Sequence, residues 1–214
     1  MTQLQLARQN IITPEMKQVA KDEGLDPEFI MLRIAEGKII IPANHKRKAT
    51  KLCGIGAGLK TKFNANIGTS GDYADIGKEI EKLRAAEEAG ADAVMDLSTG
   101  GDLRAIRKKI IDTASIAVGS VPIYEAAVKA VQQKRSIVDM TAGDMIEAIK
   151  LHCEDGVDFI TIHCGATRGV LKHLKENKRI CGVVSRGGTF LVEWMIHNGR
   201  ENTLYEEYYD IDRK

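Results

Sequence analysis

The chain has no Cys-x-x-Cys pair and no His-x-x-x-His spacing among its 4 cysteines and 5 histidines. The first absence removes the redox dithiol and the zinc ribbon. The second leaves no helical pair of imidazoles to seed a metal site. A disulfide framework is not expected in a cytoplasmic chain of 214 residues. Three of the four thiols fall in apolar helix or strand patterns and read as buried free cysteines. No run of about 18 apolar residues exists, so no transmembrane helix is expected. Met1–Gln5 lacks a charged leader ahead of an apolar stretch, so no signal peptide is read. The expected compartment is the cytoplasm, with no membrane partner. An excess of one charge is also missing: 31 Lys and Arg against 30 Asp and Glu leave +1. That balance argues against a nucleic-acid partner but leaves room for a local anion site.

What is present is helix punctuation and a change of rhythm. Residues 1–60 read as a small N-terminal lead-in of helical and extended segments. Thr13-Pro14-Glu15 predicts a helix with Thr13 as N-cap and Pro14 at the first helical position. Asp26-Pro27 opens a second, running through about Glu36. Ile39-Ile40-Ile41-Pro42 reads as a short extended run, and the basic residues 45–51 as a solvated loop. Gly54, Gly56 and Gly58 do not have the spacing of a dinucleotide fingerprint.

Over residues 61–214, strand patterns alternate with helix patterns. Ile76, Ile80 and Leu83 form one stripe of a helix near 75–89 that Gly90 stops. Leu103, Ile106 and Ile110 repeat this near 102–112, and a third helix is predicted from Glu125 to Gln133. Thr141 with Asp144 predicts a capping box and a helix turning Met145, Ile149 and Cys153 inward. Phe190–Asn198 and Leu204–Tyr209 carry the last helical patterns. Glu88-Ala89-Gly90-Ala91-Asp92 and Glu154-Asp155-Gly156-Val157-Asp158 share one form: a glycine ends a helix and a near-continuous apolar strand follows. Parallel strands buried on both faces have this character.

Five such strand–helix units are counted. Their strand ends carry Asn66, Met95–Gly101, Gly119–Tyr124, Thr161–Gly165 and Val184–Gly188. In a parallel α/β barrel those ends gather on one face, where ligands bind. Strand periodicity puts Met95 and His163 on the same side, and Asp96, of opposite parity, reads as a structural acid. The predicted class is α/β: a partial TIM-type (β/α)8 barrel of about five units behind the lead-in. A closed barrel needs eight, so the units form either an open five-stranded sheet or part of something larger. Taken singly, the candidates have ordinary readings. Asn66 could cap a helix, Met95 could pack a core, and His163 could be a satisfied buried histidine.

The strings Ile41-Pro42-Ala43-Asn44, Asn64–Ser70, Met95–Gly101, Gly119–Tyr124, Thr161-Ile162-His163, Ser185–Gly188 and Arg200-Glu201-Asn202 occur in order. Together they resemble the N-terminal part of the phosphomethylpyrimidine synthase (ThiC) family, over essentially the whole chain. The resemblance implies a (β/α)8 barrel with a cluster-bearing C-terminal segment. It implies a radical carbon–carbon lyase of thiamine biosynthesis that converts 5-aminoimidazole ribotide to hydroxymethylpyrimidine phosphate. The implied cofactors are S-adenosylmethionine, a [4Fe-4S] cluster and a divalent metal such as zinc. A homodimer is implied for the complete enzyme. Family contacts to the ribotide map onto Asn66, Met95, Tyr124, His163, Ser185, Arg186 and Gly187. Asn66 offers a donor and an acceptor, Met95 a soft wall, Tyr124 and His163 hydrogen bonds and flat surfaces. Ser185, Arg186 and Gly187 suit a phosphate. The family's Asp-Gly-x-Arg loop, glutamate, two metal-binding histidines and C-x-x-C-x-x-x-x-C motif have no counterpart in this sequence. No catalytic residue or metal ligand is therefore assigned, and the chain alone is expected to be inactive, as a truncated or split product. Two other readings share the substrate or its binding: a 5-hydroxybenzimidazole synthase of cobamide lower-ligand synthesis, and a non-catalytic ribotide-binding remnant.

Overall fold

The computed structural model of the chain describes residues 1–47, 51–177 and 179–212. Three short helices lead: α1 (Gln3–Arg8), α2 (Pro14–Glu23) and α3 (Pro27–Ala35). Thr13 accepts the amide of Met16, and Asp26 that of Glu28, each followed by Pro at the start of its helix as predicted. Met16, Val19, Ile30, Ile34 and Ile39 pack these helices into a cluster of their own. A small antiparallel ribbon follows, β1 (Ile39–Ile40) with β2 (Ile55–Gly56). Glycine is required at 56, where an added Cβ would meet the Lys38 carbonyl oxygen at 2.0 Å.

The parallel part runs β3 (Asn64–Ile67), α4 (Ile76–Glu88), β4 (Ala93–Asp96), α5 (Leu103–Thr113), β5 (Ala117–Ser120), α6 (Pro122–Gln132), α7 (Ala142–Asp155), β6 (Phe159–Ile160), α8 (Arg168–Glu176), α9 (Arg186–Asn198), α10 (Thr203–Glu206) and α11 (Tyr208–Asp212). The strands β3 to β6 lie side by side in chain order. Their register places Asn66, Met95, Gly119 and Phe159 in one row across the sheet, and Ile67, Asp96, Ser120 and Ile160 in the next. Successive strand residues alternate between faces, so these rows point to opposite sides. Behind the second row, Ile80 and Leu83 of α4 and Ile106 and Ile110 of α5 pack on Ile67, Val94 and Val118. On the first side, the Phe159 ring folds over Gly119, where a Cβ would lie 2.2 Å from it.

The repeated aspartates do the same work twice. Asp92 accepts the Phe63 amide at 2.8 Å, and Asp158 accepts the Val118 amide at 2.8 Å. Each ties the start of its own strand to the neighbouring strand segment. Asp158 also holds Arg47, whose guanidinium reaches the Ile116 carbonyl at 2.9 Å. His45, Lys46 and Lys51 are exposed, as expected of a solvated loop over residues 45–51, but Arg47 departs from that reading. The Arg47 side chain is 7% exposed and serves as a buried anchor beneath the sheet, while residues 48–50 lie outside the described residues.

Two further expectations are corrected. The fifth strand does not form. Gly182 takes φ +57°, which breaks the extended run, and Val184 stays 73% exposed with no strand to pair against. The α/β sheet therefore has four parallel strands among the described residues. Cys153 does not turn inward; it is exposed, as is Cys181, while Cys164 is half-buried and Cys53 alone is buried. Two steps of four residues from Met145 drift by about 80° around a helix. The inward position is accordingly His152, beside Ala148 and Ile149. No helix of the described residues is long and apolar enough to cross a membrane.

Candidate active-site cleft

At the C-terminal ends of β3, β4 and β5 a cleft of about 630 Å³ opens. Asn66, Ser70, Lys82, Thr99, Tyr124, Ser185 and Arg186 line it. Four of the seven predicted residues therefore meet in one space. Asn66 ends the exposed row of β3 and is not a helix cap, since Asp75 caps α4. Its Oδ1 accepts from Asn64 Nδ2 at 2.9 Å, leaving its own amide hydrogens to the cleft. Tyr124 stands in the first turn of α6, half-buried, with its ring edge-on to Phe190 at 6.2 Å. The Arg186 guanidinium lies 5.4 Å from the Tyr124 ring centroid, a cation–π pair that holds the charge at the rim. Ser185 is the N-cap of α9; its Oγ accepts the Gly188 amide at 3.1 Å and keeps its hydroxyl proton to donate. The N-terminus of α9, a site of partial positive charge, thus faces the same cleft as Arg186.

The remaining three residues, Met95, His163 and Gly187, do not line it. Met95 neighbours Asn66 in the ladder, and its Sδ lies 3.6 Å from Thr161 Oγ1. His163 is pressed against Gly187, and Asn202 fixes the backbone around it by donating to the His163 and Ala166 carbonyls at 2.9 Å each. Burial lowers the His163 pKa, so the ring is neutral, and its buried Nδ1 has no hydrogen-bond partner.

The two loops after β3 and β4 are knitted together by their own side chains. Asp96 accepts from the Ser98 amide and hydroxyl at 2.9 and 2.5 Å. Ser98 in turn takes the Thr69 amide, and Thr69 donates to the Gly100 carbonyl at 2.6 Å. Asp96 is thus the structural acid expected, with burial raising its pKa. Glu79, fully buried, accepts the Gly68 amide at 2.7 Å and Lys82 Nζ at 2.5 Å. Lys82 is a second cation at the cleft. Its signal was a pair of opposite charges three apart on α4, which any solvated helix face also shows.

A larger groove of about 1230 Å³ runs beside β6, past Ile149, Cys153, Ile160, Ile162 and Ile211. It carries none of the predicted site residues, and its isoleucines are interspersed with His45, Lys46, Lys150 and Glu154. Among the described residues, no three His, Cys, Asp or Glu side chains gather where they could hold a metal ion. The described residues do not fit an iron–sulfur cluster or a divalent metal.

The family model of the radical SAM ThiC family matches residues 2–212. The chain is 53% identical over 208 residues to a phosphomethylpyrimidine synthase of Dehalococcoides mccartyi (strain CBDB1), covering 97% of this chain and 48% of that protein. It is 54% identical over 208 residues to the phosphomethylpyrimidine synthase of Desulforamulus reducens, again with 97% and 48% coverage. To that of Caldanaerobacter subterraneus subsp. tengcongensis it is 55% identical over 210 residues, with 98% and 48% coverage. The chain belongs to the radical SAM ThiC family. It spans about half the length of the curated relatives it matches.

Proposed function

We propose that this chain supplies the ribotide-binding part of a phosphomethylpyrimidine synthase of thiamine biosynthesis. The ligand is 5-aminoimidazole ribotide, and the completed reaction forms hydroxymethylpyrimidine phosphate with S-adenosylmethionine. The observation that supports this most is the meeting of Asn66, Tyr124, Ser185 and Arg186 on one cleft at the strand ends. In this reading Arg186, the Ser185 hydroxyl and the α9 N-terminus hold the phosphate. The Asn66 amide and the Tyr124 hydroxyl orient the imidazole and ribose. His163 presents its unpartnered Nδ1 from behind, and Met95 backs the heterocycle. The sequential order of the four parallel strands is that of a singly wound sheet, the arrangement from which a (β/α)8 barrel is built. A pyrimidine product is preferred over a benzimidazole one because the curated relatives bear the former name.

Titration calorimetry with the ribotide tests the reading. Saturable heat from the chain, lost in Arg186→Ala, is expected; no heat at millimolar ligand would contradict it. A second assay addresses activity. With reconstituted cluster, S-adenosylmethionine and dithionite, the 214-residue chain is expected to form no pyrimidine product without a second polypeptide.

A further inference from the structure

Behind the cleft, between α5, α6 and α7, lies a buried polar group that the ligand-binding roles leave unused. Arg107 is 1% exposed, Ser120 1%, His152 3% and Glu125 5%. His152 Nδ1 sits 2.7 Å from Ser120 Oγ, and Nε2 sits 2.9 Å from Glu125 Oε2. Nε2 also lies 3.0 Å from Arg107 Nη1, which only donates, so Nε2 sits between that donor and the Glu125 carboxylate, which only accepts. Nδ1 and the Ser120 hydroxyl, which can donate or accept, share one hydrogen bond in either tautomer. Arg107 Nη1 donates to the same Glu125 oxygen at 2.7 Å, and its Nη2 to Asp155 at 2.6 Å. Serine, histidine and glutamate in this order are the residue types of a hydrolytic relay. Ser120 is nonetheless sealed, and it points from the face of the sheet opposite Asn66 and Met95, so no substrate carbonyl can reach it.

The chain positions of the two partners give the group a different role. Ser120 is the last residue of β5, and Glu125 directly follows Tyr124 in α6. The span between them, Val121 to Tyr124, is the turn that delivers Tyr124 to the cleft. That turn has no side-chain cap: Val121 is the N-cap residue and makes no such bond, and Pro122 brings no amide hydrogen. Asp75, Asp102, Thr141, Thr167 and Ser185 cap α4, α5, α7, α8 and α9 with their own side chains. We propose that His152 is a positioning residue: its imidazole bridges Ser120 to Glu125, replaces the missing cap, and so fixes Tyr124 and the Arg186 that lies against it.

Two variants separate this from a general packing role. His152→Phe keeps a ring and deletes both hydrogen bonds, while Glu125 retains Arg107. Ser120→Ala releases only one end. The protein is labelled with fluorotyrosine, and the signal of Tyr124 is assigned with Tyr124→Phe. The 19F resonance of Tyr124 is expected to shift or broaden in both variants while those of Tyr73 and Tyr205 stay in place. An unmoved Tyr124 signal, or equal changes at every tyrosine, would overturn the proposal. The affinity arm rests on the ribotide reading: binding is expected to weaken roughly tenfold in His152→Phe, the scale of one well-made hydrogen bond. If the unmodified chain binds no ribotide, that reading fails, and the Tyr124 signal still decides the role of His152.

Discussion

The imidazole of His163 occupies the space that a side chain at Gly187 would need. A Cβ added to Gly187 would lie 2.4 Å from His163 Cε1 and 2.8 Å from both ring nitrogens. The glycine in Ser185-Arg186-Gly187 is therefore explained by a neighbour across the fold as well as by its place at a helix start. Gly187→Ala is expected to push the ring aside and destabilise the chain by about 1–3 kcal/mol, the usual scale of overpacking. Urea unfolding measures this. A midpoint equal to that of the unmodified chain would show that the ring yields without cost.

Arg186 is both a rim cation and a partner of the Tyr124 face. Arg186→Ala is expected to weaken ribotide binding by roughly 2 kcal/mol or more, as when a charged hydrogen bond is lost. Arg186→Lys is expected to recover only part of this, because an ammonium has neither the planar fork nor the same stacking. Calorimetry on the three proteins checks the order, and equal affinities would remove Arg186 from the site.

The anchor beneath the sheet should be costly to break. Asp158 has 0% side-chain exposure and accepts the amides of Asn44 and Val118 besides pairing with Arg47. Asp158→Ala leaves a buried guanidinium without its counter-ion, with only the Ala114 and Ile116 carbonyls to accept from it, and two amides without their acceptor. A loss of about 3–5 kcal/mol is expected, read as a lowered urea midpoint. A change below about 1 kcal/mol would mean that water replaces the carboxylate readily.

Acid should weaken the fold in two stages. Burial lowers the pKa of His152 from its ordinary 6.5, outweighing the bond to Glu125. The unfolded chain then takes up that proton at a higher pH than the folded one. Its contribution to stability is full above about pH 6.5 and is lost as the pH falls below it. Burial alone would raise Glu125, but its bond to His152 and the charge of Arg107 hold it at about 2 against an ordinary 4.5. Its contribution is present above 4.5 and drains toward pH 2. Asp96, raised by burial, acts in the opposite sense and softens the second stage. Urea midpoints between pH 7 and 5 should fall for the unmodified chain and fall less steeply in His152→Phe, where His163, also lowered by burial, still contributes. Parallel slopes would assign the fall to other groups.

Local chemistry was legible and distant pairing was not. Thr13, Asp26 and Thr141 cap the helices expected of them because the bonds they make lie within three residues. The Glu-x-Gly-x-Asp repeat marked two real strand entries. Arg47 was misread because its carboxylate partner lies 111 residues away. The strand expected to end at Val184–Gly188 failed because strand formation needs a neighbour, and Gly182 turns the chain first. Asn66, Tyr124 and Arg186 were found through family resemblance, since each alone has a common structural use. His152 and Glu79 escaped notice because a buried polar residue and a solvated one look alike in a sequence.

Amide chemical shifts of the 15N-labelled chain during titration with 5-aminoimidazole ribotide test the central claim most directly. The account predicts saturable changes at Asn66–Ser70, Tyr124 and Ser185–Gly188, with little change at the groove beside β6. No change at millimolar ribotide, or changes centred on Ile149, Cys153 and Ile162, would contradict it.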